Sequence, residues 1–240
     1  MTYCVGLLLD AGILLLSDTR TNAGLDNIAT YRKMFLFENP GERAIAIMTA
    51  GSLSITQTTL ARLSDANEDA DSARSILRAP TMLQVAEIVG AMLSDVTTEI
   101  AAKMERMSQT AKASMIVAGQ RKGGPMRMFL VYPEGNFIEA TPDTPYLQIG
   151  EHKYGKPILD RVIEADTTLA DAEKAMLLSM DSTLRSNLSV GMPLDFAVIE
   201  RDALRISRTR RIPDTDEGFK RMSNAWSEEL RQAFQRIDPL

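Results

Sequence analysis

The sequence predicts an α+β fold in which two β-sheets stack face to face and a helical layer covers the outside of each. Other helix-on-sheet arrangements fit the same elements. Three observations lead there. Strand-like and helix-like stretches come in blocks: strands, two helices, strands, two helices, strands. Neighbouring strand-like runs are joined by short connections rich in Gly, Pro and Asn, as in antiparallel hairpins. An apolar run also starts at the second residue, Thr2-Tyr3-Cys4-Val5-Gly6-Leu7-Leu8-Leu9. Chain ends fray unless something ties them down, so a strand that begins this early must be held inside a sheet.

Residues 3–9 and 13–16 flank Asp10-Ala11-Gly12, a turn in which Gly12 is expected to take a positive φ. Residues 19–30 are polar, with glycine and asparagine, and read as a loop over a sheet edge. Residues 33–37 and 44–48 flank Asn39-Pro40-Gly41-Glu42, a second hairpin with a strong turn signal. Beyond Thr49-Ala50-Gly51-Ser52, Ile55, Thr59, Leu60 and Leu63 recur at helical spacing behind a serine cap at Ser52 or Ser54. Residues 67–74 are polar and acidic, a loop or helix end. Thr81 then caps a helix whose apolar stripe is Met82, Val85, Val89, Met92, Val96, Ile100 and Met104. Packing against a sheet is the expected use of this methionine-rich stripe.

A second β block follows at residues 113–118, 126–132 and 137–140, with Gly123-Gly124-Pro125 and Pro133-Glu134-Gly135-Asn136 as its turns. Helical patterns cover residues 157–164 and 169–188. Residues 194–200 and 204–207 read as a closing hairpin, and Arg208-Thr209-Arg210-Arg211 as its solvated end. Residues 1–214 thus form one domain, and residues 215–240 add an amphipathic helix that extends it. Phe219, Met222, Trp226, Leu230, Ala233 and Phe234 line one face of that helix, which should end at Pro239. Docking on its own domain and packing against a neighbouring subunit both fit such a stripe, and Trp is enriched at interfaces.

Composition narrows the function classes. A chain of 240 residues that is 45% hydrophobic can bury a core and form a single large sandwich. A net charge of −5 gives no basic field, so nucleic acid is not an expected partner. The lone cysteine cannot form an internal disulfide, which suits a reducing cytoplasm. No apolar span of membrane length and no signal-peptide pattern occur, so the expectation is a cytoplasmic protein without a membrane partner. One His and one Cys cannot build a zinc site, no carboxylate cluster has metal-loop spacing, and no cofactor is expected. No phosphate-binding glycine loop is present, so any ATP-driven unfoldase would be a separate chain.

The chemistry is concentrated near the start. A threonine hydroxyl is a weak nucleophile, but an N-terminal amine beside it can act as its base. Removal of Met1 would give Thr2 such an amine, and a small second residue favours that removal. Asp18 closes the second apolar run and Lys33 opens the third, so pairing of the three runs would bring both near Thr2. There Lys33 would lower the amine's pKa and Asp18 would orient Lys33. A purely structural ion pair is the competing reading for those two. Cys4 lies on the same strand face as Thr2 but has no histidine at any cysteine-protease spacing, so it reads as a small buried residue. His152 reads as exposed or structural.

These residues resemble the proteasome beta-subunit family, and most closely its bacterial Anbu (ancestral beta subunit) branch. The match runs through Thr2-Tyr3-Cys4-Val5-Gly6, Ser17-Asp18-Thr19-Arg20-Thr21-Asn22-Ala23-Gly24 and Arg32-Lys33-Met34. It is specific over residues 2–51 and looser to about residue 212. The resemblance implies the four-layer αββα sandwich of the N-terminal-nucleophile hydrolases and a threonine peptidase acting on polypeptides or small amides. It further implies Gly51 as oxyanion donor and Ser189 as a partner of the Thr amine. Ser186 stands where the family carries Asp, and Glu151 where a serine is common; both are expected to support the site. A non-peptide amidase, or an assembly-forming protein with a vestigial site, are the alternatives. A hydrolase of this kind is expected to hide its nucleophile in a homo-oligomer, a ring or an open spiral.

Overall fold

The structure, a computed structural model, describes residues 1–22, 28–104 and 111–238. The hairpin of β1 (Tyr3–Leu8) and β2 (Gly12–Asp18) lies at the centre of one five-stranded sheet. Alongside β2 lie β11 (Leu194–Glu200) and then β12 (Arg208–Ile212), and alongside β1 lies β10 (Tyr146–Gly150). The second five-stranded sheet runs in the order β5 (Met34–Asn39), β6 (Arg43–Gly51), β7 (Ala113–Arg121), β8 (Arg127–Val131) and β9 (Phe137–Glu139). All pairs in both sheets are antiparallel.

Alternation along the strands sorts the side chains into layers, since successive residues of a strand face opposite sides. Tyr3, Val5, Leu7, Leu14 and Leu16 face outward and pack with Leu159 of α3 (Lys156–Val162) and Met176 and Met180 of α4 (Leu169–Ser186). Cys4, Ile13 and Leu15, one residue out of phase, meet Ala46, Met48, Ile116 and Met128 of the other sheet. Ile45, Ile47 and Val117 face outward on that sheet, beneath Leu63 of α1 (Leu53–Glu68) and Val85 and Val89 of α2 (Met82–Met104). The result is the four-layer αββα sandwich that the element order allowed.

Several local expectations need correction. Gly12 does not have a positive φ. It is needed because a Cβ there would lie 2.7 Å from the Ile199 carbonyl oxygen of the adjoining strand. Within the expected loop over residues 19–30, β3 (Arg20–Asn22) pairs with β4 (Ile28–Thr30); the Ala23 and Gly24 of the quoted motif lie outside the described residues. The closing strand is not residues 204–207. That run is the connection, with Leu204 and Asp202 at φ 50° and 60°, and the arginine-rich stretch is itself β12. Ser52 occupies the start of α1 but its side chain makes no cap bond, whereas Thr81 does accept from the Gln84 N–H at the start of α2.

The last helix, α5 (Glu217–Gln235), is capped by Asp216, whose side chain accepts the Phe219 N–H at 2.8 Å. Its apolar stripe divides. Phe219 and Met222 pack on the core beneath α4, and Ser223 donates to the buried Asp181 carboxylate at 2.7 Å. Leu230 and Phe234, two turns further on, are 49% and 80% exposed. Pro239 lies outside the described residues. Among the described residues, no helix is long and apolar enough to cross a membrane.

Phe129 is fully buried under α2 and meets Phe137 edge-on, with ring centroids 5.4 Å apart. Phe129→Ala should therefore lower unfolding free energy by about 3–5 kcal/mol, measured by urea titration.

Candidate active site

The ends of five strands converge at one edge of the sandwich. Thr2 precedes β1 and is only 8% exposed; it shares the inward face with Cys4 and so points into the gap between the sheets. Its carbonyl accepts the Glu151 N–H at 2.7 Å. Gly150 makes this approach feasible: its φ is +83°, and a Cβ there would lie 1.9 Å from the Thr2 oxygen.

Asp18 ends β2 and Lys33 immediately precedes β5, and the two form a buried ion pair at 2.7 Å. The ammonium is saturated with partners, and the carboxylate accepts at both oxygens. The Lys33 ammonium donates to Asp18 Oδ1 at 2.7 Å, to the Arg20 carbonyl at 2.7 Å and to the Met1 carbonyl at 3.3 Å. Asp18 Oδ1 also accepts the Tyr3 N–H at 3.1 Å, and Oδ2 accepts the Gly191 N–H at 3.2 Å. Burial pushes the Asp18 carboxyl above its ordinary value, while Lys33 and the two backbone donors pull it down. Every partner of Asp18 is a donor, so the carboxylate is the form that fits the geometry. Desolvation of such a pair is costly, and these added hydrogen bonds are what offsets it.

The field at the chain end is suited to an amine base. Burial, and then the Lys33 charge, lower the pKa of the Met1 amine, with Asp18 and Glu151 opposing. The Met1 carbonyl oxygen belongs to the peptide bond of Thr2, so bond lengths place Thr2 N within roughly 5–6 Å of the Lys33 ammonium.

A cavity of about 320 Å³ opens at this point, lined by Thr2, Lys33, Thr49, Gly51, Thr56 and Gly150 among others. Gly51, at the end of β6, has φ +104°, and a Cβ there would lie 2.2 Å from the Lys112 carbonyl oxygen. Backbone geometry alone thus requires glycine at the position that lines the cavity. A larger cavity, about 800 Å³, runs past Tyr31, Phe35 and Arg210 and contains neither Thr2 nor Lys33. The smaller one holds the buried ion pair's ammonium and the chain end, and is the candidate site.

The other expected residues stand further out. Ser189, in the connection from α4 to β11, turns its N–H to Asn187 Oδ1 at 2.9 Å and does not line the cavity. Ser186 is exposed at the end of α4. That connection reaches the site instead through the Gly191 N–H, which sequence reading missed because the contact spans 173 positions of chain. Cys4 is fully buried, its Sγ 3.7 Å from the Thr49 carbonyl oxygen, and burial raises its thiol far above the ordinary value. His152 is exposed. Among the described residues, no cluster of three His, Cys, Asp or Glu side chains could hold a metal ion.

A four-layer sandwich with a buried threonine, lysine and aspartate at its first strand end defines a proteasome-like protein of the N-terminal-nucleophile hydrolase fold. The chain belongs to the Anbu (ancestral beta subunit) family. It is similar to the solved structure of an Anbu (Gly-1) mutant from Hyphomicrobium sp. strain MC1, at 47% identity over 100% of this chain and 99% of that one, with TM-score 0.92. It is also similar to Anbu from Yersinia bercovieri, at 40% identity over 99% and 98% of the two chains, TM-score 0.92. The same figures hold for the structure of a helical assembly of the Anbu complex from Pseudomonas aeruginosa. No family model and no curated protein matches the chain.

Asp18→Asn would leave the Lys33 cation buried without its counter-charge. Urea unfolding of this variant should show a loss of about 3–5 kcal/mol, most of it recovered in the double variant Asp18→Asn/Lys33→Met.

Proposed function

We propose that the chain is a threonine-type amide hydrolase whose nucleophile is Thr2, exposed by removal of Met1, with polypeptides or small amides as substrates. One observation carries this reading: the third N–H of Lys33 is spent on the carbonyl of Met1, the residue whose removal would create the amine. Loss of Met1 would free that N–H and leave both the amine and the hydroxyl of Thr2 beside a fixed cation. Met1 is 59% exposed, so a processing aminopeptidase could reach it.

In the proposed reaction, Thr2 Oγ forms a bond to the substrate carbonyl carbon while the Thr2 amine takes its proton. The carbonyl π-electrons move to oxygen, and Gly51 is assigned as the N–H donor to that oxyanion. Collapse breaks the amide C–N bond, the leaving amine takes the proton, and water then hydrolyses the ester at Thr2. Lys33 keeps the amine unprotonated by its charge and Asp18 holds Lys33 in place. Glu151 fixes the Thr2 carbonyl and supplies opposing negative charge. Ser189 and Ser186 are assigned as supports of the amine from the family resemblance alone. The position of both serines outside the cavity favours a second reading, an assembly-forming protein with a vestigial site. A non-peptide amidase would use the same steps. Any unfoldase would be a separate chain, and the one buried cysteine fits a cytoplasmic setting.

Acylation by a β-lactone inhibitor separates the hydrolase readings from the vestigial site. The processed protein should be acylated, Thr2→Ala should form no adduct while keeping its fold by circular dichroism, and Lys33→Ala should slow acylation by about 10²–10⁴-fold. A wild-type protein that is correctly processed but never acylated would favour the vestigial site.

The same reading calls for an assembly that encloses the nucleophile. A relative from Pseudomonas aeruginosa forms a helical assembly, and we assign a homo-oligomer, ring-like or open-spiral, to this chain. The exposed end of α5, Leu230 and Phe234, is the apolar surface assigned to its subunit contacts. Phe234→Asp should lower the particle mass in light scattering without changing the far-ultraviolet dichroism. An unchanged large particle would remove α5 from the interface.

A further inference from the structure

Tyr3 follows the proposed nucleophile directly, yet its side chain points away from the cavity. The ring is fully buried among Val5, Leu7 and Met176 beneath α4. At its far end the hydroxyl lies 2.6 Å from Ser179 Oγ of α4 and accepts the Gln148 side-chain N–H of β10 at 2.6 Å. Burial pushes the phenol far above its ordinary pKa, so the hydroxyl keeps its proton. With Gln148 donating to the oxygen, that proton goes to Ser179. Space for the network comes from Gly155, where a Cβ would lie 2.2 Å from Ser179 Oγ and 2.6 Å from the Tyr3 hydroxyl. At the near end of the same residue, the Tyr3 N–H donates to Asp18 Oδ1, the oxygen that also holds Lys33.

One residue therefore joins the helical layer, the neighbouring strand and the ion pair. A chain terminus has no preceding residues to hold it in register, and loses its order first. After Met1 is removed, Thr2 would stand one residue beyond this anchor, held by its neighbours and by the Glu151 N–H.

We propose that Tyr3 is a positioning residue, a strut from Ser179 and Gln148 to the chain end that sets where Thr2 stands relative to Lys33. The function assigned to the strut rests on the reading of Thr2 as nucleophile; the anchoring of the chain end does not. Positioned groups lose much of their advantage when displaced by about an ångström, so the effect should fall on the chemical step and not on inhibitor binding.

Two measurements on the processed full chain test this. Tyr3→Phe keeps the ring and removes the hydroxyl. Hydrogen exchange at the amides of residues 3–5 should accelerate at least tenfold over wild type. With a β-lactone, the limiting inactivation rate should fall about tenfold while the half-saturating inhibitor concentration stays within twofold. Because Tyr3→Phe strands Ser179 and Gln148, the double variant Tyr3→Phe/Ser179→Ala is the control. Its melting temperature should move back toward wild type while inactivation stays slow. Recovery of the inactivation rate together with the melting temperature would overturn the proposal and reduce Tyr3 to a packing role. Unchanged exchange in Tyr3→Phe would overturn it as well. If wild type is not acylated at all, the hydrolase reading fails, and the exchange rates still decide whether Tyr3 anchors the chain end. Should Tyr3→Phe fail to fold, Ser179→Ala alone should give a smaller change in the same direction, and no change would overturn the strut.

Discussion

The buried pair of Lys33 and Asp18 is the constraint on which the rest of this structure depends. Two opposite charges sit almost wholly out of water, 2.7 Å apart, and their desolvation is offset because all three ammonium protons and both carboxylate oxygens find partners. Those partners come from separate parts of the chain: the Met1 and Arg20 carbonyls and the N–H groups of Tyr3 and Gly191. Satisfying the pair therefore fixes the ends of β1, β2 and β5 and the α4–β11 connection relative to one another. The fold positions the pair, and the pair in turn holds the edge of the fold where the first residues lie.

The apolar layers bring Thr2 to that edge, where the buried charges lie. Alternation sends Tyr3 to the helical side and Cys4 to the gap between the sheets, so Thr2 is directed into the gap. Close backbone approaches then shape the cavity. Gly150 lets the Thr2 carbonyl come in, and Gly51 lets the end of β6 turn past Lys112. Each glycine sits at a positive φ and against a carbonyl oxygen, so two independent constraints select it.

Much of this was legible in the residues. The early apolar run, the glycine- and proline-marked hairpins and the helical stripe of α2 all have local signals, and the ordered layers follow from them. The convergence of Thr2, Asp18 and Lys33 was legible because each lies at a strand end, but the three runs do not pair as expected: β5 belongs to the other sheet, and stacking of the two sheets brings Lys33 to Asp18. What escaped has no local signal. β12 is an exposed edge strand of arginines whose charges are paired with Glu173, Asp216 and Asp195, so it shows no apolar alternation. β10 is only five residues long. The requirement for glycine at position 12 comes from a strand that follows almost 190 positions later. The Gly191 contact is equally remote, which is why Ser189 and Ser186 drew attention and the backbone between them and β11 did not.

The proposed chemistry requires that Thr2 Oγ at the chain start be the atom that reacts. Peptide mapping of the β-lactone-treated protein, with tandem mass spectrometry of its N-terminal peptide, locates the adduct directly. The predicted result is an N-terminal peptide that begins at Thr2 and carries the acyl group on that residue. An adduct on any other residue, or on a chain that still carries Met1, would contradict it.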